Sequence, residues 1–273
     1  MNLEDHLGDV LRKGRLHAGV AVETAAHAGG LTSAQWQALE ETGTVPRPLP
    51  WPVLAPLLHL DAVKLAGLAQ GWTPRPVEVT QWRELRVITT GGDGCTVNAY
   101  LVWDEVTREA ALFDTGLDAS PIRHLIESEQ LQLRYIFITH GHEDHVAGLA
   151  DLRRQFPKAR LRRSDPTAPP DQRNRLNDCL ALGSLRITLR ETPGHAADGV
   201  TYLVGNWPDD APHVAVVGDA IFAGSMGKAP EAAALARQKV IEQILSLPPA
   251  TLLCPGHGPL TTVAEEKAHN PFF

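Results

Sequence analysis

At 273 residues, with 43% hydrophobic and 21% charged side chains, the chain has the composition of a soluble globular protein, long enough for one large domain or two unequal ones. A formal net charge of −7 argues against a large nucleic-acid footprint, which needs concentrated Lys and Arg. No apolar run approaches the length of about 18 residues that a membrane span needs, and the acidic opening MNLEDHLGDV is unlike a secretory signal, so the expected location is cytoplasmic.

From the N-terminus, Leu3, Leu7, Val10 and Leu11 form a helical stripe, and VETAAHAGG is a short helix stopped by Gly29 and Gly30. LTSAQWQALEETG starts a third helix, capped by Thr32 or Ser33 and ended by Gly43. Two more short helices are expected in WPVLAPLLHL and DAVKLAGLAQGW. Pro74 and Pro76 then break any helix. The expected division is a helical unit over 1–75, a linker over 76–83 and an α/β unit over 84–273.

Beyond residue 82, short β-rich runs alternate with helices. The expected strands are LRVITTG, NAYLVWD, AALFDTG, RYIFITH, LRITLRETPG, VTYLVGN, HVAVVGD and TLLCPGH. The expected helices are SPIRHLIESEQ, HVAGLADLRRQF, EAAALARQKVIEQILSL and TTVAEEKAH, and Asp165 to Asp178 reads as a polar surface loop. Cys95, Cys179 and Cys254 are odd in number and far apart, so they are expected as reduced thiols.

Several strands end in a histidine-bearing turn. THGHEDHVAG carries His140, His142, Asp144 and His145; TPGHAADG carries His195; VVGDAIF carries Asp219; LLCPGHGP carries His257. Imidazole nitrogen and carboxylate oxygen suit zinc, and also iron or manganese, and two nearby ligand pairs suggest two metals. Asp114, at the end of ALFD, reads either as a turn-forming Asp or as a partner behind a ligand.

Together these segments resemble the metallo-β-lactamase superfamily over about residues 84 to 273. The resemblance implies a four-layer αββα sandwich with its site on one edge. By the same resemblance His140, His142 and His195 hold a first metal, Asp144, His145 and His257 a second, and Asp219 bridges them. Asp144 and Asp219 would be the catalytic carboxylates, acting with a hydroxide between two divalent ions, expected as zinc.

TPGHAADG, GDAIFAGSMGK and PGHGPLTTVAEEKAHNPFF resemble glyoxalase II-like hydrolases, especially the short forms. That resemblance implies hydrolysis of a hydroxyacylglutathione-type thioester, with Lys228 at a position that contacts glutathione. Two departures are that GKAPEAA replaces an aromatic segment and that PGHGP lacks a following tyrosine. The alternatives are a mononuclear iron persulfide dioxygenase, a lactonase, or a DNA-binding regulator with a metallo-β-lactamase-like sensor domain. A nuclease is disfavoured because the catalytic half carries net −5 and shows no basic tract.

LRKGRLHAGVAVETAAHAGGLTSAQWQALEETGTVP resembles the phage-repressor helix-turn-helix over about residues 3 to 72. Residues 1–80 carry six basic and eight acidic side chains, and the segment from Thr32 to Thr42 has no Arg or Lys. DNA binding is therefore not expected. The expected partners are a small-molecule ester or thioester and a second copy of the chain in a homodimer, with no membrane.

Overall fold

Alternation of period two along the strands sorts the catalytic half into layers. Tyr100 and Val102 enter one apolar cluster while Ala99, Leu101 and Trp103 enter another. On the opposing side Val214, Val216, Leu252 and Cys254 face the shared cluster, and Ala215, Val217 and Leu253 face outward to a third. Strands buried on both faces produce this pattern, because successive side chains point to opposite sides of a sheet.

The computed structural model describes residues 2–92 and 95–273. Five helices come first: α1 (Leu7–His17), α2 (Val22–Gly29), α3 (Ser33–Thr42), α4 (Trp51–Leu57) and α5 (Ala62–Ala69). Strands β1 (Leu85–Gly92), β2 (Cys95–Trp103) and β3 (Glu109–Phe113) precede α6 (Ser120–Ser128) and β4 (Gln132–Phe137). Next come α7 (Glu143–Val146), α8 (Leu149–Gln155), β5 (Arg160–Arg162), β6 (Leu180–Leu182), β7 (Leu185–Glu191), β8 (Val200–Gly205) and β9 (Val214–Gly218). The chain continues through β10 (Ile221–Phe222), β11 (Ser225–Met226), α9 (Ala233–Lys239), β12 (Leu252–Pro255), β13 (Thr261–Thr262) and α10 (Val263–His269).

One sheet has the order β1-β2-β3-β4-β5 and the other β13-β12-β9-β8-β7-β6. Ile122, Ile126 and Leu152 of α6 and α8 cover the first sheet, while Val240, Ile244 and Val263 cover the second. This is the expected four-layer αββα arrangement. Because β3 and β4 run parallel, as do β9 and β12, their C-terminal ends reach common edges. Val200 N–H donates to the Thr139 carbonyl at 2.9 Å, joining the two sheets there.

Thr32, rather than Ser33, caps α3, and it forms a reciprocal pair with Gln35. Such caps are worth about 1 kcal/mol. The front helices enclose Trp36, which is fully buried, with its Nε1–H on Glu40 at 2.5 Å; Arg15 holds the same carboxylate through two hydrogen bonds. Met226, Ala229, Ala236 and Phe272 of the α/β part complete this apolar cluster. Val77 and Trp82, within the expected linker region, pack against the layer between the sheets.

Two expected helices differ in detail. HVAGLADLRRQF is divided into α7 and α8, starting earlier at Glu143; a Cβ at the break, on Gly148, would lie 3.0 Å from the Thr115 carbonyl oxygen. The helix expected over EAAALARQKVIEQILSL changes from α to π winding across Val240–Ile244. Cys254 is buried, Cys179 is exposed, and the side chain of Cys95 lies outside the described residues. No single helix among the described residues is long and apolar enough to cross a membrane.

Candidate metal centre

Each candidate ligand lies just past the end of an element. His140 follows β4 by three residues, Asp219 follows β9 directly, and His257 follows β12 by two. His195 sits on the turn after β7, while Asp144 and His145 lie on α7 immediately after His142, its N-cap. Strand direction thus delivers seven side chains to one edge, where loops can turn them inward.

They form overlapping groups. His140, His142 and His195 offer donor atoms within 4.8 Å of one another; so do Asp144, His145 and His257, and so do His140, His145 and Asp219. In the first group, Nδ1 of His142 lies 3.0 Å from Nε2 of both His140 and His195. In the second, Nε2 of His257 is 3.2 Å from Asp144 and Nε2 of His145 is 3.8 Å from it. Asp219 lies between the two, with Oδ2 3.5 Å from His195 and 3.4 Å from His257, and Oδ1 3.3 Å from His145.

The nitrogens facing away from the centre are held. Nδ1 of His145 meets Asp114 at 2.8 Å, Nδ1 of His195 meets the Lys228 carbonyl at 3.0 Å, and Nδ1 of His257 meets the Thr96 carbonyl at 2.6 Å. Nδ1 of His140 meets Thr139 Oγ1 at 3.1 Å, whose own hydroxyl donates to Asp114 at 2.7 Å. An acceptor on Nδ1 keeps the proton there and leaves the Nε2 lone pair facing inward, the tautomer a metal needs. Asp114 also accepts the Thr139 N–H at 2.8 Å, so it ties together the turn that carries His140 and the ring of His145.

Two atoms test whether these residues fit a cation. Nε2 of His145 and Oδ1 of Asp219 are buried and have no hydrogen-bond partner among the described residues. They are close, but not aligned for a hydrogen bond with each other. Leaving such atoms unsatisfied costs about 1–3 kcal/mol each. A divalent ion between them would satisfy both, and the imidazole and carboxylate donors suit one.

The protein's own charges divide the histidines. Burial, then the neighbouring His145, pushes His140 down to about 3. For His145 burial acts downward, but the charge and hydrogen bond of Asp114, with the charge of Asp219, outweigh it and raise the group to about 10, so a cation binding at Nε2 would displace a proton. Asp219 is held well below the usual carboxylate range: burial opposes ionisation, but the adjacent His145 and His257 prevail. The site therefore keeps an ionised carboxylate at its centre, as a ligand requires.

Backbone space is equally restricted. A Cβ on Gly256 would stand 2.2 Å from Asp219 Oδ1, and one on Gly227 would stand 2.0 Å from the Asp219 carbonyl oxygen. Lys228 is exposed beside the site, and its backbone carbonyl, rather than its side chain, holds His195.

The front helices also reach this rim. Glu4 lies against Gly258, where a Cβ would be 3.0 Å from its Cβ. Lys13 pairs with Asp5 in a buried contact, donates to the Met226 carbonyl at 2.8 Å and lies 5.1 Å from the Phe222 ring centre. That ring stands nearly perpendicular to the His257 ring, with the centroids 5.9 Å apart.

Curated relatives share this half. A hydroxyacylglutathione hydrolase of Cereibacter sphaeroides is 31% identical over 163 residues, covering 58% of this chain, while the match spans only 61% of the relative's length. Hydroxyacylglutathione hydrolase GloC of Haemophilus influenzae is 25% identical over 64% of this chain and 92% of its own. Among solved structures, the B3 metallo-β-lactamase BLEG-1 is 30% identical with a TM-score of 0.58, covering 69% of this chain and 98% of its own. ETHE1 from Myxococcus xanthus is 28% identical with a TM-score of 0.59, covering 68% and 83%. TTHA1623, solved in a di-iron-bound form, is 27% identical with a TM-score of 0.52, covering 69% and 100%. Residues 92–257 match the sequence profile of the metallo-beta-lactamase superfamily, and the chain belongs to that superfamily.

Proposed function

We propose that the chain is a binuclear metal-dependent hydrolase acting on a thioester of the hydroxyacylglutathione type. The observation that carries this reading is Asp219, buried between two ligand groups, with its Oδ1 and the Nε2 of His145 both unpaired. A single ion held by His140, His142 and His195 alone leaves that second pair of atoms unexplained. The hydroxyacylglutathione hydrolases of C. sphaeroides and H. influenzae support the thioester.

In this reading His140, His142 and His195 would hold one ion and Asp144, His145 and His257 the other, with Asp219 facing both groups; zinc is the proposed metal, with iron or manganese as alternatives. When bound, such ions bring the pKa of a water to around 7 and polarise the carbonyl under attack. Asp144, partly exposed at the mouth, would accept a hydrogen bond from the attacking water and orient it. Asp114 and Thr139 keep His140 and His145 in the ligating tautomer. A thiolate leaves without needing protonation, so no dedicated general acid is required.

Beside His195 opens a groove of about 490 Å³ lined by Pro193, Ala197, Ala229, Pro230 and Leu235. It is the proposed seat for the apolar part of the substrate, with Lys228 at its margin for an anionic part. Residues 1–75 are proposed as a helical unit, joined by 76–83 to a catalytic unit over 84–273, whose role is to form the rim around Lys13 and Glu4 rather than to bind DNA.

The test compares S-lactoylglutathione with simple thioesters lacking glutathione, using metal-loaded protein. Preference for S-lactoylglutathione, with a raised KM and unchanged kcat in Lys228→Ala, supports the reading. Full activity on the simple thioesters removes glutathione from it, and no thioester turnover at all rejects it.

A further inference from the structure

A second cleft, of about 530 Å³, lies along the outer edge of the first sheet, away from the seven candidate ligands. Five cationic side chains line it, Arg153, Lys158, Arg160, Arg162 and Arg175, against two acidic ones, Asp171 and Asp178. In a chain of net charge −7, that is a concentrated reversal of sign. It also corrects the sequence reading, which found no basic tract in the catalytic half. Four of the five stand within ten consecutive residues, 153–162, on α8, β5 and the turn between them, and folding adds Arg175 from the loop after β5.

Charge on a sheet edge has an ordinary explanation. β5 is an edge strand, and exposed cations discourage edge-to-edge pairing. This accounts for Arg160, but not for Arg153 on α8 or Arg175 in the loop, which converge on the same cleft. Nor does it account for Arg162. Its Nη1 donates only to backbone carbonyls, of Asp171 at 3.3 Å and Arg173 at 3.1 Å. Its Nε is buried and has no hydrogen-bond partner among the described residues, and the same is true of the adjacent Arg163. The Arg162 guanidinium is thus held in place by carbonyls, and Arg recognises phosphate through several donors at once.

We propose that this cleft binds a diphosphate group carried by a small molecule, either a nucleoside diphosphate or inorganic pyrophosphate. Five cations converging on a bounded cavity of this size suit a compact, multiply charged ligand. A nucleic-acid surface would instead extend along a groove and bury roughly 600 Å² or more of protein. The proposal is independent of the thioesterase reading, since no candidate metal ligand lines the cleft.

Isothermal titration of the full-length, metal-loaded protein at about 150 mM salt with ADP and with pyrophosphate tests it. The expected result is saturable binding of one molecule per chain, weaker for AMP. Because diphosphates also chelate metals, the titration is repeated on Asp219→Asn, where binding is expected to persist. Arg160→Met and Arg175→Met, both at exposed positions, are each expected to weaken binding about tenfold, the effect of one lost charged hydrogen bond. Tighter binding of ADP than of pyrophosphate assigns the site to a nucleotide, and equal binding assigns it to the diphosphate alone. The proposal is overturned by an absence of saturable binding, by affinity unchanged in both arginine variants, or by binding lost in Asp219→Asn. It is also overturned if an RNA or duplex DNA oligonucleotide binds there and neither small diphosphate displaces it.

Discussion

The carboxylate of Asp114 lies 2.8 Å from Nδ1 of His145, and the two side chains are only 2% and 0% exposed. Asp114 has left-handed backbone geometry, with φ of 57°, at the end of β3, and from there it also accepts both the N–H and the hydroxyl of Thr139. One carboxylate therefore supports a residue of each proposed ligand group. In Asp114→Asn one oxygen becomes a donor facing donors, and metal affinity is expected to fall by about 10–100-fold. A chelator-competition titration measures it; unchanged affinity would remove Asp114 from the account.

Gly256 leaves room for no side chain, since a Cβ would stand 2.6 Å from Cε1 of His145 as well as against Asp219. Gly256→Ala is expected to cost about 1–3 kcal/mol of stability and to displace Asp219. Circular dichroism with metal analysis should find a folded chain with reduced metal content. Full metal content at wild-type stability would mean the edge yields more than its packing implies.

The buried pair Lys13–Asp5 joins α1 to the rim of the site, and Lys13 also holds the Met226 carbonyl. Removing one member leaves an uncompensated buried charge, so Lys13→Met is expected to destabilise the chain by about 3–5 kcal/mol. Replacing both, in Lys13→Met with Asp5→Leu, should recover much of that loss. Urea denaturation of the wild type and the two variants decides, and a double variant no better than the single one would contradict pair burial as the cause.

Glu266 is fully buried under Thr261, Asn270 and the Gly224 N–H. Burial pushes its carboxyl up from 4.5 to about 7, despite the hydrogen bonds acting downward. A folded value above the unfolded one gives stability that is fully present below about 4.5 and is lost as pH rises through about 7. Glu266→Gln mimics the neutral acid. It should match wild type near pH 4.5 and exceed it above pH 7, by on the order of 3 kcal/mol at most. Parallel pH-dependent melting curves for the two proteins would refute this.

The site was legible because its residues stand at strand ends, where apolar alternation stops and Pro-Gly or Gly-Asp turns begin. His140, His142, Asp144, His145, His195, Asp219 and His257 could each be placed from such a boundary. The groups behind them were less visible, because Thr96 and Lys228 contribute backbone carbonyls, which any residue carries. Short pairings such as β10, β11 and β13 span two residues each, too few to show alternation. The contact of Lys13 with Met226 crosses 213 positions and left no periodic trace. The basic tract stood in the sequence, since Arg153, Arg154, Lys158, Arg160, Arg162 and Arg163 fall within eleven residues with no acid among them; only Arg175 needed the fold to join it.

The most direct test of the central claim is elemental analysis of the purified protein coupled to S-lactoylglutathione turnover, on wild type and Asp219→Ala. About two metals per chain and thioester turnover are expected in the wild type, with turnover lost in the variant. One iron per chain with no turnover would contradict it.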